Sequence, residues 1–129
     1  MSDQFIGIDV GGTKIATATL EAGELTESHL LHTELGSQDK LVEQLIGAIE
    51  HARTERTRAV GIGVPSLIEF ATGRIRSSVN IPLKDVPLRE LMTERLGLPV
   101  YVENDASCAA LAEAFRDGRM ACPHLVMFT

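Results

Sequence analysis

The spacing of apolar and polar positions changes several times along this chain, and each change marks an element. Gln4 to Val10 (QFIGIDV) is a short apolar run with β-branched residues, the pattern of a buried strand. Gly11-Gly12 predicts a tight turn. Lys14 to Leu20 (KIATATL) then alternates, with Ile15, Thr17 and Thr19 on one face of a second strand. Ala22-Gly23-Glu24 has the composition of a hairpin turn, after which Leu25 to Thr33 pairs back as a third strand. The chain is therefore expected to open with an antiparallel meander.

Beyond residue 36 the period lengthens. Leu41, Leu45, Ala48, Ile49 and Ala52 recur at intervals of three and four, one apolar stripe of a helix. Ser37 stands at its N-cap, with Lys40 where a full capping box would place Glu or Gln. Ala59 to Val64 (AVGIGV) predicts a second buried strand whose glycines imply close backbone approach, and Pro65 stops it. Ile68 to Arg76 suggests a small hairpin around Ala71-Thr72-Gly73, and the stretch to Pro87 is irregular. Pro87 to Leu96 predicts a short helix ending at Gly97, a favourable residue just past a helix end. Pro99 to Glu103 is another strand, and Ala106 to Phe115 a helix with a small-residue face of Ala106, Ala109, Ala110 and Ala114. Leu125 to Thr129 reads as the start of one more strand. The order βββ-α-β-α-β-α-β predicts an α/β fold, a mixed sheet flanked by helices.

Composition narrows the function. A chain of 129 residues suits one domain, and 4% aromatic content without Trp implies a core of Val, Ile, Leu and Ala. A net charge of −6 argues against nucleic acid or an anionic membrane as partner. It leaves phosphate binding open, because backbone amides hold phosphate without cationic side chains. Cys108 and Cys122 form no CxxC motif, Met1-Ser2-Asp3-Gln4 lacks the basic start of a signal peptide, and no stretch approaches membrane-spanning length. A cytoplasmic protein with free thiols is expected.

Two places carry chemistry. Asp9-Val10-Gly11-Gly12-Thr13-Lys14 lies at a strand-turn-strand junction. Adjacent glycines there can present amides to an anion, Thr13 adds a hydroxyl, Lys14 adds positive charge, and Asp9 can hold a hydrated magnesium ion. It is neither a Walker loop nor a dinucleotide fingerprint, since a strand follows where both require a helix. The same residues also satisfy simple hairpin turn chemistry. The second place is Glu103-Asn104-Asp105, where a strand ends and a helix begins, the edge at which open α/β sheets bind ligands. A carboxylate there can take the proton of an attacking hydroxyl, and Asn104 can both donate to and accept from sugar hydroxyls. Asp105 can equally serve as the N-cap of the following helix. Glu103 could bind metal or only orient the loop.

Other candidates weigh less. His29, His32, His51 and His124 show no metal-ligand spacing. Arg53, Arg56 and Arg58 cluster at a helix end and suit its dipole, and Arg74 and Arg76 suit a solvated hairpin.

Taken together, DVGGTK near residue 10, GIGVP, the Asn80-Ile81-Pro82 loop and LPVYVENDA before an Ala-rich helix resemble the ROK family of bacterial sugar kinases and sugar-responsive repressors. The resemblance spans essentially the whole chain, and VENDA after GVP is its most specific part. It implies an RNase H-like, actin-like ATPase fold and transfer of phosphate from ATP, with magnesium, to a hexose hydroxyl. On the family pattern Asp9, Gly11, Gly12 and Thr13 fall on the first phosphate motif, followed by Lys14. Asp105 falls on the catalytic base, Asn104 on a sugar ligand, and Asn80, Ser66 and Glu103 near the sugar pocket. Residues 1–129 would then be the N-terminal lobe of a two-lobed kinase. The C-terminal lobe, with the second phosphate motif, the adenosine segment and the cysteine-rich zinc motif, would be a separate part, and the full-length form is expected to be a homo-oligomer. The first strand starts by Gln4, which leaves no room for a repressor's winged helix ahead of it. A self-associating lobe is a third expectation. Two departures stand out: Ser66 replaces the usual Gly after GVP, and Ser107-Cys108 stand where relatives often carry Asn-Ala.

Overall fold

The computed structural model describes residues 2–26, 29–116 and 119–120, with side chains described through residue 112. Strands β1 (Gln4–Val10) and β2 (Lys14–Glu21) pair antiparallel, from Gln4 opposite Glu21 to Val10 opposite Ile15. The expected single third strand is two short ones, β3 (Glu24–Leu25) and β4 (His29–His32), both antiparallel to β2. Thr26 interrupts the ladder. Its hydroxyl accepts from the Thr19 amide at 2.9 Å, standing in for a backbone carbonyl.

Helix α1 (Gln38–Ala52) begins where expected, with the Ser37 hydroxyl accepting from the Lys40 amide at 3.2 Å. It buries Leu41, Val42, Leu45 and Ile49. Strand β5 (Thr57–Val64) then runs parallel to β1 through the middle of the sheet. After Pro65 come β6 (Ser66–Glu69) and β7 (Arg74–Ser78), a separate two-stranded hairpin. Helix α2 (Leu88–Leu96) follows and ends at Gly97, which takes the left-handed conformation (φ 67°). Strand β8 (Val100–Asn104) is parallel to β5, and helix α3 (Asp105–Ala114) leaves it directly. Two-residue strands β9 (Phe115–Arg116) and β10 (Arg119–Met120) pair with each other. The strand expected at Leu125 to Thr129 lies outside the described residues, as do Cys122 and His124.

The six-stranded main sheet has the order β3-β2-β1-β5-β8, with β4 also on β2. Parallel pairing is confined to β1-β5-β8, so the carboxyl ends of those three strands lie along one edge. One face of the sheet carries the core: Ile6, Ile8, Val10, Ile15, Val60, Ile62, Val64, Val100 and Val102 are buried together with residues of α1 and α2. The predicted aliphatic core is what forms. The basic cluster at the end of α1 separates into three distinct pairings. Arg53 donates to the Leu96 carbonyl at 2.8 Å, Arg56 pairs with Glu21, and Arg58 pairs with Asp3. Arg74 and Arg76 are likewise spent within the hairpin region, on Asp85 and Glu69. Among the described residues no helix is long and apolar enough to cross a membrane.

Candidate active site

The parallel strands deliver the chemistry to one edge. Asp9 is next to last in β1, Gly63 lies opposite it on β5, and Glu103 lies opposite Gly63 on β8. Asp105 opens α3 immediately afterwards. Asp9, Glu103 and Asp105 thus share one groove of about 860 Å³ between the sheet face not covered by α1 and the first turns of α3. Its floor is made of small residues, Gly7, Ala16, Ala18, Gly61 and Gly63. Gly63 faces the start of α3: a Cβ there would make ordinary contacts, 3.6 Å from the Asp105 Cα and 3.5 Å from the Cys108 sulfur.

The turn after β1 uses its glycines for close approach rather than for unusual dihedrals, as neither Gly11 nor Gly12 has positive φ. A Cβ on Gly11 would stand 2.9 Å from the Lys14 carbonyl oxygen, and one on Gly12 3.0 Å from the Asn80 Cβ. The Gly12 contact joins the two separately expected segments, the phosphate turn and the Asn80 loop. The Gly11 amide donates to the Lys14 carbonyl at 2.9 Å, so that N–H serves the turn itself and not a ligand. Thr33 pins the turn from outside. Its hydroxyl donates to the Gly11 carbonyl at 2.8 Å and its amide to the Thr13 carbonyl at 2.9 Å. The amides of Gly12 and Thr13 and the ammonium of Lys14 have no hydrogen-bond partner among the described residues.

The two readings of Asp105 separate in the structure. Asn104, not Asp105, caps α3: its Oδ1 accepts from the Ala106 amide at 2.9 Å and the Ser107 amide at 3.3 Å. Asp105 accepts from the Ala106 amide through one oxygen at 2.8 Å, and the other has no partner among the described residues. The Asn104 Nδ2 donates to the Ser66 carbonyl at 3.1 Å, and its own amide donates to Glu103 Oε1 at 2.7 Å. One Glu103 oxygen is thus engaged at the strand end. Asn80 is exposed, with a side-chain amide that has no partner among the described residues.

The electrostatics follow from this crowding of carboxylates. Partial burial, and then the Asp105 carboxylate, push the Asp9 carboxyl above its ordinary value. Burial, and then Glu103, Asp105 and Asp9, raise the Cys108 thiol, which keeps it protonated and poorly nucleophilic. Among the described residues no group of three or more His, Cys, Asp or Glu is placed to hold a metal ion alone. His29 meets His51 edge to face at 6.3 Å, a packing contact.

Sequence patterns single out neither Thr33 nor Ser78. Thr33 reaches the turn across 22 positions with no local signature. Ser78 faces Ser66 across the hairpin, a pairing that requires the exact register of β6 on β7.

The mixed α/β sheet with carboxylates at the ends of β1 and β8 has the actin-like fold of the solved structures it resembles. A glucokinase from Streptomyces griseus, solved in complex with glucose and AMPPNP, superposes with a TM-score of 0.77 at 32% identity, over 85% of this chain and 36% of that one. Residues 5–129 match the ROK family, and the chain belongs to it. A glucokinase of Halalkalibacterium halodurans is 34% identical over 140 aligned positions, covering 100% of this chain and 42% of the relative. A xylose repressor of Caldicellulosiruptor bescii is 31% identical over 116 positions, 84% of this chain and 29% of the repressor. The chain thus spans well under half the length of the curated relatives it matches.

Proposed function

We propose that this chain is the N-terminal lobe of an ATP-dependent hexose kinase, glucokinase-like, whose site is completed by a second lobe. The observation that carries the reading is the Asp105 carboxylate oxygen without a partner among the described residues, beside Asp9 in one groove at the carboxyl ends of parallel strands. Asp105 accepts the proton of the sugar hydroxyl that attacks the terminal phosphate. Asn104 is anchored through Oδ1 and one N–H, which leaves its second N–H for a sugar oxygen. Asn80, packed against Gly12, and Ser66 border the same region.

The phosphates fit the turn. Two amides without a partner among the described residues, the Thr13 hydroxyl and the Lys14 ammonium follow one another in this turn, where Gly12 adds no side chain. A magnesium ion bound with ATP would find one carboxylate, Asp9, which matches the usual habit of that ion to keep waters and take few protein ligands. When bound it supplies charge neutralisation on the phosphates. Similarity to glucokinases supports a hexose substrate and ATP use.

The test is a coupled ADP-release assay across a panel of hexoses, on the complete protein and on this chain alone. Turnover is expected only from the complete protein, and Asp105→Asn should lower it about 10²–10⁴-fold with no loss of melting temperature. Full activity in that variant would remove Asp105 as the base. No turnover with any hexose would favour the second reading, a sugar-sensing regulator, which the similarity to a xylose repressor supports.

A further inference from the structure

We propose that Ser66 and Ser78 form a positioning pair that sets Asn104, an inference that rests on the sugar-binding role proposed for Asn104. Ser66 is the first residue of β6 and Ser78 the last of β7, and their hydroxyl oxygens lie 2.6 Å apart. Ser66 is only 6% exposed and Ser78 half-buried, so this bond is partly shielded from water, which strengthens a neutral hydrogen bond. The pairing depends on a bulge. Glu69 faces Arg74 and Ile68 faces Ile75, but beyond the register shift Leu67 faces Ser77 and Ser66 faces Ser78. The extra residue on β7, Arg76, moves Ser78 into line with Ser66.

The consequence runs away from the hairpin. The Ser66 carbonyl accepts from the Asn104 side-chain amide at 3.1 Å, and the same side chain caps α3. A continuous path therefore joins Ser78, Ser66, Asn104 and the start of the helix that carries Asp105. A glycine at position 66 would have no hydroxyl and would leave this end of the hairpin held by backbone contacts alone. In this chain the serine pair fixes the carbonyl to which Asn104 is tied, and so fixes the direction of the remaining Asn104 N–H. Ser66 then acts on the sugar through Asn104 rather than by touching it.

The test is steady-state kinetics on the complete enzyme with its preferred hexose, for Ser78→Ala, Ser66→Gly, Ser78→Thr, Asn104→Ala and the double variant Ser78→Ala with Asn104→Ala. Ser78→Ala and Ser66→Gly should each raise the hexose KM by about two- to tenfold, the scale of one neutral hydrogen bond. The kcat should stay in place. Ser78→Thr, which keeps the hydroxyl, should restore the wild-type KM, and Ser78→Ala should add nothing to Asn104→Ala. Ser66→Gly removes the same hydrogen bond from the other strand, so it keeps the test readable if Ser78→Ala folds poorly. A lower melting temperature with unchanged KM would overturn the proposal, because the bond would then be structural only. An Asn104→Ala variant with wild-type KM would overturn the site reading and this inference together. A raised KM for Asn104→Ala beside wild-type values for both serine variants would overturn this inference alone.

Discussion

The two faces of the sheet are built from the same strands by opposite rules. On β1, Ile6, Ile8 and Val10 are buried against α1, while Gly7 and Asp9 point the other way. On β5, Val60, Ile62 and Val64 are buried, whereas Gly61 and Gly63 form the groove floor. The first face is filled with branched aliphatic side chains. The second carries glycines and alanines, three carboxylates and the start of α3, with Phe5, Leu25 and Tyr101 left exposed. Because side chains alternate with period two, the chain assigns stability to one parity and chemistry to the other within a single strand. Substitutions at neighbouring positions should therefore fail in different ways.

The largest separation is expected on β5. Ile62 is 2% exposed, and Ile62→Ala should cost about 2–5 kcal/mol in denaturant unfolding. Its neighbour Gly61 has no positive φ, and a Cβ there would meet nothing within 4 Å. Gly61→Ala should thus leave stability unchanged or raise it by about 0.4–1 kcal/mol, by restricting the unfolded chain. Equal losses at both positions would break the comparison, since both faces would then be packed.

Asn104 tests the boundary between the two regimes, because it serves both. Its Oδ1 caps α3, so Asn104→Ala should cost about 0.5–2 kcal/mol of stability as well as sugar affinity. Asn104→Asp keeps the capping oxygen and loses the donor to the Ser66 carbonyl. Melting curves should place it above Asn104→Ala, and hexose titrations should show it no better than Asn104→Ala. Recovery of both properties by Asp would mean that the cap is all that Asn104 supplies.

How much of this is written in the sequence depends on the range of each interaction. Strands β1, β2, β5 and β8, α1 with its Ser37 cap, and the aliphatic core follow from local periodicity and form where expected, whereas the third strand is divided in two. The gathering of Asp9, Glu103 and Asp105 follows once the strands are known to be parallel, because ligands favour strand carboxyl ends. Three things are not local. The Thr26 hydroxyl splits the third strand, Thr33 holds the turn from across the sheet, and a bulge decides that Ser66 meets Ser78 rather than Ser77. The choice of Asn104 over Asp105 as cap is likewise invisible in a motif where both residue types cap well.

The smallest effect is the one with the unexpected sign. Asp9 lies on the groove face, where partial burial and the nearby Asp105 raise its carboxyl above the ordinary aspartate value of 3.8. The folded state then holds the Asp9 proton more tightly than the unfolded chain does. The stability this group contributes is fully present below the unfolded value and is lost as pH rises through the raised folded one. At neutral pH the ionised Asp9 is therefore a cost to the fold, and Asp9→Asn should melt above wild type. That advantage should shrink to nothing as the pH falls below the ordinary aspartate range. It should also be smaller in an Asp105→Asn background, because one of the two charges that repel each other is already gone. Thermal melts of wild type and variants from pH 3 to 8 check this. An Asp9→Asn protein less stable than wild type at neutral pH would show that the carboxylate supports the turn. The expected gain would instead mark Asp9 as a charge kept for its ligand, at the expense of the fold.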